Sequence, residues 1–438
     1  MNHSDAKKIL EANGQGHVLD FWGKLAAKAR KELLAQIATI DFDELARCRS
    51  MLPAFAGETA AGKGCRRAVA PTAPKVMELK GKAYDAAAAA GAKELAAGRV
   101  AVLLVAGGQG SRLGYEGPKG AYPIGPVTDR PLFHFHARKV LAKTRRYGKS
   151  VPFYIMTSEA NYDATVACFK ENGWFGLDRK DIFFFKQGMW PGMTPDGKII
   201  LDGPGHVFMS PDGHGGLLAA LKNSGALADM KKRGVRSVFF FQVDNPLVEI
   251  ADEAFVGYHV RAKSEYSLKL CAKRDPKEKV GMPMRFGDSF RMVEYTEMTD
   301  EQCNRKGKDG KLYFLYGSPA IHVFDRAFLE REAAKPMPLH LAHKKIATVN
   351  AKGVVEKPSA PNGYKFEKFI FDILPDAKRV AFLAFDQKDE FSPVKNAEGG
   401  DSPATCKADM QAKWRRQLAE RGILIDGDAL LEVDPCSL

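Results

Sequence analysis

The 438-residue chain has only seven cysteines, at positions 48, 65, 168, 271, 303, 406 and 436. None forms a C-x-x-C pair or a His/Cys spacing suited to zinc, so neither a disulfide framework nor a zinc module is expected. Such a dispersed, odd set fits reduced thiols in a cytoplasm. No apolar run approaches the ~18 residues that span a bilayer. The opening residues MNHSDAKKILEANGQG are too charged for a secretory leader. A cytoplasmic protein with no membrane partner is therefore expected. Repeats and long biased tracts are also missing, and hydrophobic and charged residues make up 45% and 27%, as in ordinary globular proteins. That length accommodates about two or three domains of ~100–200 residues.

What is present in excess is positive charge, a net +13. Phosphates attract such a chain, whether on nucleic acid or on small molecules. The basic clusters RKVLAKTRRYGK (138–149) and MKKRGVR (230–236) lack interleaved aromatics and read as solvated helix faces. Nucleic acid is not an expected partner.

The first hundred residues predict helices over KKILEANGQGHVLDFWGKL, RKELLAQIATIDFDELARC and ELKGKAYDAAAAAGAKELAAG, with a loop over 55–75. From residue 99 strands alternate with helices. VAVLLVA, PFYIMTS, DIFFFKQG and SVFFFQVDN read as strands. PLFHFHARKVLAKTRRYG, YDATVACFKENGWFG and LLAALKNSGALADMKKRG read as the helices between them. This pattern predicts βαβ units and a mostly parallel α/β sheet. Beyond about 263, YSLKLCAK, SFRMVEYTEM and KLYFLYGSPAIHVF predict further strands that cover or extend it. A helix over YKFEKFIFDILPDA, a strand over RVAFLAFD, a helix over ADMQAKWRRQLAERG and a short β-like tail complete the chain. The stretches 1–98, 99–350 and 351–438 are the expected domains.

In parallel sheets, sites lie at the C-terminal ends of strands. That rule selects Gly107, Gly108 and Gly110, Thr157 and Ser158, Gln187, and Asp244 with Asn245. The glycine stretch, VLLVAGGQGSRLGYEGPKG, follows a buried strand with bare backbone and then adds Arg112 and Lys119. It has neither the G-x-G-x-x-G spacing of a dinucleotide fold nor a Walker A lysine, which disfavours an oxidoreductase. Two readings stand: a tight turn without ligand, or an anion cradle of another kind. A nucleoside triphosphate fits the second. Asp244, at the end of FFFQVDNPL, is either a turn cap or a carboxylate for Mg²⁺ beside phosphate oxygens. In MSPDGHGGLLAAL, Gly213 and His214 precede a helix that either caps itself or receives an anion or a flat base. Lys395, in the loop DEFSPVKN, is either solvated or a further phosphate cation.

Together these segments resemble the eukaryotic-type UDP-N-acetylglucosamine pyrophosphorylases, within the UDP-sugar pyrophosphorylase group. LLVAGGQGSRLGYEGPKG, FFFKQGMWPGM, PDGHGGL, QVDNPLVEIADEAFVGY, VEYTEM, KFEKFIFDIL and DEFSPVKNAEG carry the likeness. The resemblance implies a nucleotide-diphosphosugar transferase sheet, Rossmann-like, with a helical N-terminal region and a small C-terminal domain. It implies that UTP and a sugar 1-phosphate give UDP-sugar and pyrophosphate with Mg²⁺, N-acetylglucosamine 1-phosphate being favoured over glucose 1-phosphate or a broad sugar range. Gly107, Gly108, Gln109 and Gly110 would hold the nucleotide, with Arg112, Lys119 and Lys395 on its phosphates. Gln187 and Gly213 would read the uracil, and Asp244 would hold the metal. Gly281, Glu294, Lys365, Phe369 and Phe371 would line the sugar pocket.

Two positions depart from the family pattern. Ser318, in GSPAIH, replaces the family's sugar-facing Asn and is followed by Pro319. His214 stands where several N-acetylglucosamine enzymes have Asn. The chain also ends sooner after its last helix than the longer family members, so a monomer or a weak homo-oligomer is expected. A silent nucleotide-sugar sensor is the remaining alternative, but Lys119, Asp244 and Lys395 are all present.

Overall fold

Unbroken runs of Val, Leu and Phe need cover on both faces, and the chain supplies it by alternating strands with helices. A computed structural model describes residues 1–60, 71–427 and 429–437. These residues form two compact units. One comprises Met1–Lys63, Gly188–Leu217 and Met337–Ile370; the other comprises Gly64–Gln187, Leu218–Pro336 and Phe371–Leu438. They are bodies in space rather than serial stretches, so the alanine-rich helix Gly81–Ala96 belongs to the second unit.

The second unit is built on a seven-stranded sheet. Its strands are β1 (Val100–Val105), β2 (Phe153–Thr157), β3 (Ile182–Lys186), β4 (Ser237–Gln242), β5 (Tyr266–Ala272), β6 (Tyr316–Asp325) and β7 (Val380–Phe385). Their order is β7-β5-β6-β4-β1-β2-β3. All neighbours are parallel except β6, which runs antiparallel to both β4 and β5. Val102 lies opposite Phe153 and Phe239, and Val105 opposite Met156 and Gln242. Hence the C-terminal ends of β1, β2, β3, β4, β5 and β7 and the start of β6 share one edge. Small residues let the helix Gly81–Ala96 cross Glu253–Arg261 closely: a Cβ on Gly91 would lie 1.9 Å from the Glu253 carbonyl oxygen, and one on Gly257 1.7 Å from that of Ala87.

The first unit is held by its own core. Leu10, Leu33, Ile37 and Leu45 from the helices His3–Ala12, Ala27–Ala38 and Phe42–Ala60 meet Met193, Val207 and Phe366. Short hairpins complete it, among them Met189–Pro191 with Met209–Pro211 and His340–Lys344 with Gly363–Glu367.

Several sequence expectations need correction. The stretch expected as a helix over 364–377 is the strand Gly363–Glu367 followed by the 3-10 turn Ile370–Asp376. Tyr364 and Phe366 point into the core, 6% and 1% exposed, while Lys365 and Glu367 alternate with them, a strand period. LLAALKNSGALADMKKRG is two helices, Leu217–Asn223 and Ala226–Lys232, because Gly225 adopts φ +80° between them. The helix Phe42–Ala60 continues into the stretch expected as a loop, whose residues 61–70 lie outside the described ones. Residues 289–293 form a strand, as expected, but it pairs antiparallel with 282–286 in a separate hairpin and does not extend the sheet. The tail forms no strand among its described residues, only the 3-10 turn Pro435–Ser437. The described cysteines are all unpaired, and no helix among the described residues is long and apolar enough to cross a membrane.

Candidate functional site

The glycine loop leaves β1 and is folded back on itself. Gly110 N–H donates to the Gly117 carbonyl (2.9 Å) and Lys119 N–H to that of Gly108 (3.0 Å). Gly107 is pressed against Gln187, whose Oε1 would lie 2.4 Å from an added Cβ. Gly110 is similarly covered by Tyr115, and Gly120 by the Phe133 ring. Gly108 differs: a Cβ there meets no atom within 4 Å. Bare backbone therefore faces open space where the turn's N–H groups can meet a ligand. Gln109 bridges to Pro118, and its Nε2 donates to the Ala160 carbonyl at 3.4 Å. Arg112 is exposed on the 3-10 turn Ser111–Leu113.

Sequence reasoning missed Asn161. Its side chain donates to the carbonyls of Ala106 (2.9 Å) and Gly108 (3.2 Å) and accepts from Ser158 N–H (2.8 Å). It ties the turn after β2 to the glycine loop. An asparagine three residues beyond the end of a candidate strand was the available signal.

Asp244, Lys119 and Lys395, separated widely in sequence, meet at one backbone segment. Val394 N–H donates to the Asp244 carbonyl (2.8 Å), and Lys119 Nζ donates to the Val394 carbonyl (3.3 Å). Lys395 follows directly, its Nζ 3.6 Å from Asp401. Asn245 strengthens the junction by donating to the Glu390 carbonyl (2.7 Å) and accepting from Ser392 N–H (3.1 Å). Behind the turn, His136 Nε2 donates to the Val243 carbonyl at 2.9 Å. Burial pushes that imidazole down to about 3, so it stays neutral. The Asp244 carboxylate accepts no hydrogen bond from a described residue, and no cluster of three His, Cys, Asp or Glu side chains lies among them. A carboxylate at the end of β4, its backbone joined through Val394 to the segment that carries Lys395 and receives Lys119, suits Mg²⁺, which keeps several waters and takes phosphate oxygens as further ligands.

Along the same edge, Gly281 and Ser318 form a bridge, with Ser318 N–H donating to the Gly281 carbonyl at 2.9 Å. A Cβ on Gly281 would lie 3.1 Å from Glu294 Oε1, so these three expected sugar residues are brought together. The register of β6 slips between Gly317 and Ile321, and Ala320 takes φ +60°. Pro319 lacks the N–H that a regular ladder needs there. Phe371 lies on the turn Ile370–Asp376.

In the other unit, Gly213, His214, Lys365 and Phe369 come together around the strand Gly363–Glu367. His214 stacks on Phe369 (centroids 5.2 Å apart), and its Nδ1 accepts from Ile370 N–H at 3.1 Å. Lys365 Nζ lies 5.1 Å from the centre of the Phe208 ring. Gly213 has φ +80° and, like Gly215, abuts the backbone at Lys368. Asp212 is wedged between Gly188 and Gly216, where added Cβ atoms would lie 2.5 and 1.9 Å from its oxygens. Burial pushes its carboxyl up to about 7, against the opposing pull of Lys368.

With this geometry in place, the likeness to known proteins is informative. Residues 67–400 match the UTP–glucose-1-phosphate uridylyltransferase family. A mouse UDP-N-acetylhexosamine pyrophosphorylase-like protein 1 is 37% identical over 98% of this chain and 88% of its own length. The UDP-N-acetylglucosamine pyrophosphorylase of Saccharomyces cerevisiae is 32% identical over 98% of this chain and 94% of its own. Among solved structures, the uridine diphosphate N-acetylglucosamine pyrophosphorylase of Trypanosoma brucei, in complex with an inhibitor, superposes with a TM-score of 0.82. It is 26% identical, covering 96% of this chain and 87% of that one. The mostly parallel sheet, the glycine loop at its edge and these relatives agree: the chain belongs to the UTP–glucose-1-phosphate uridylyltransferase family of nucleotidyltransferases.

Proposed function

We propose that this chain transfers the uridylyl group of UTP to a sugar 1-phosphate, N-acetylglucosamine 1-phosphate being favoured, and releases pyrophosphate. The observation that carries this reading is the convergence of Lys119, Asp244 and Lys395 on Val394, beside a glycine loop with open backbone at Gly108. A sugar phosphate is already an oxyanion, so no general base is needed to make the nucleophile. One of its oxygens bonds to the α-phosphorus of UTP as the bond to the bridging oxygen of the β-phosphate breaks. Two polyanions must approach for that to happen. Lys119 and Lys395 neutralise the repulsion and align the phosphates, and Arg112 adds charge from the loop. Magnesium, held by Asp244, would supply further charge neutralisation on the phosphate oxygens. The glycine loop and Gln187 would hold the nucleotide, and Gly281, Glu294 and Ser318, with Phe371, would line the sugar.

The second reading is glucose 1-phosphate or a broad sugar range. It is favoured by the slipped strand around Ser318, where a short hydroxyl replaces an amide and Pro319 removes a donor. Pyrophosphate release from UTP and Mg²⁺ with N-acetylglucosamine, N-acetylgalactosamine, glucose and galactose 1-phosphates separates the two. Preference for the N-acetylated sugars supports the first reading, and preference for glucose or galactose makes Ser318 and His214 the discriminating positions. No release with any of them contradicts both.

A further inference from the structure

A cleft in the sheet unit lies between the helices Leu132–Tyr147 and Pro403–Ala419 and encloses about 780 Å³. Six of its lining side chains are cationic: Lys139, Lys143, Arg145, Arg146, Lys413 and Arg421. Glu249 is the one carboxylate in its wall, with Glu253 bonded to Lys143 behind it. Phe135, Leu247, Met410 and Trp414 add an apolar surface. We propose that this cleft is a second anion site, taking a small phosphorylated molecule whose phosphate meets the lysines and whose apolar part lies on that surface.

The lysines converge rather than radiate into solvent. Lys139 Nζ donates to the carbonyls of Pro246 (2.6 Å) and Val248 (2.7 Å), and Lys413 Nζ to that of Leu247 (2.9 Å). Lys143 Nζ lies 2.8 Å from Glu253 and 3.3 Å from Glu249. Lys143 and Lys413 are only 7% and 9% exposed. Burial raises the Glu249 carboxyl, but Lys143, Lys413 and Lys139 outweigh it and bring it to about 2. Glu249 and Glu253 are the carboxylates shared by Lys143, Lys413 and Arg146, and six cationic side chains against these two leave positive charge for an anion. Recessed ammonium groups favour a small ligand over a nucleic-acid backbone, which needs an exposed stripe. Burial also brings Lys139 down to about 7, so part of its amine is neutral near pH 7.

The test uses pyridoxal 5′-phosphate on the full chain, trapped with borohydride and mapped by peptide mass spectrometry. It involves neither UTP nor turnover, so it stands or falls apart from the transfer reaction. Labelling is expected at Lys139, Lys143 or Lys413. Inorganic phosphate at about four times its dissociation constant should reduce it about fivefold. Arg146→Ala, whose parent side chain is largely exposed, and Lys413→Gln should each weaken that protection. Equal labelling by pyridoxal without its phosphate would mean amine reactivity alone and overturn the proposal. So would the absence of label on these lysines, or protection unchanged in both variants.

Discussion

The two glycine-rich turns, 107–120 in the sheet unit and 211–216 in the other, use one residue type for different ends. In the first, Gly107, Gly110 and Gly120 are packed against side chains, but Gly108 faces open space. In the second, Gly213, Gly215 and Gly216 are all filled, by the backbone at Lys368 or by Asp212. Glycine in the first turn leaves room for a ligand; in the second it lets two stretches of chain approach closely and holds His214 against Phe369. The charges differ in the same sense. Lys119 and Lys395 surround the first turn's neighbourhood, whereas the second keeps a buried carboxyl that holds its proton to about pH 7.

The largest effect should come from removing charge at the first turn. Asp244→Asn and Lys119→Ala are each expected to lower kcat about 100-fold or more, with the melting temperature little changed. Turnover within a few-fold of the parent would remove Asp244 or Lys119 from the phosphate site.

Next come the glycines. Gly216→Ala places its Cβ 1.9 Å from Asp212 Oδ1, so denaturant unfolding should show a loss of about 1–3 kcal/mol. Gly108→Ala should leave stability nearly unchanged and raise KM for UTP. Equal destabilisation by both substitutions would erase the distinction between the turns.

Protons sharpen the contrast. His136 and His259, held down to about 3, and His134, at about 4, are lowered chiefly by burial. The unfolded chain binds protons near pH 6.5 that these folded histidines refuse, so stability falls as the pH drops below about 6.5. Asp212 acts oppositely. Its folded carboxyl keeps a proton that the unfolded chain gives up near pH 3.8, so its contribution is lost as the pH rises from there towards 7. Burial also raises the Glu390 carboxyl, which acts in the same sense as Asp212. Three histidines outweigh the two acids, and the parent should lose stability on acidification from pH 7 to 5. The smallest effect is expected in Asp212→Asn, which should steepen that loss by at most about 1.4 kcal/mol per pH unit. Chemical unfolding across that range measures both slopes, and an unchanged slope would contradict the buried, protonated Asp212.

Much of this was legible in the sequence because it rests on local chemistry. Apolar runs ending in glycine or aspartate located β1 and β4 and, with them, one edge carrying Gly107, Gln187 and Asp244. Long-range placement was less legible. Nothing local says that Val394 bridges Lys119 and Asp244, or that Asn161 clasps the glycine loop, since both depend on strand order. The strand at 363–367 reads as a helix from sequence because its charged and aromatic residues suit either, and only burial of Tyr364 and Phe366 decides the period. Gly281, Glu294 and Ser318, proposed to face the sugar, are legible through family likeness rather than through spacing.

The most direct test of the central claim is pyrophosphate release from UTP, Mg²⁺ and N-acetylglucosamine 1-phosphate by the parent chain and by Lys395→Ala. Release by the parent, reduced at least tenfold or so in the variant with its fold intact, is the predicted result. Release that is the same in both would contradict a phosphate site assembled from Lys119, Asp244 and Lys395.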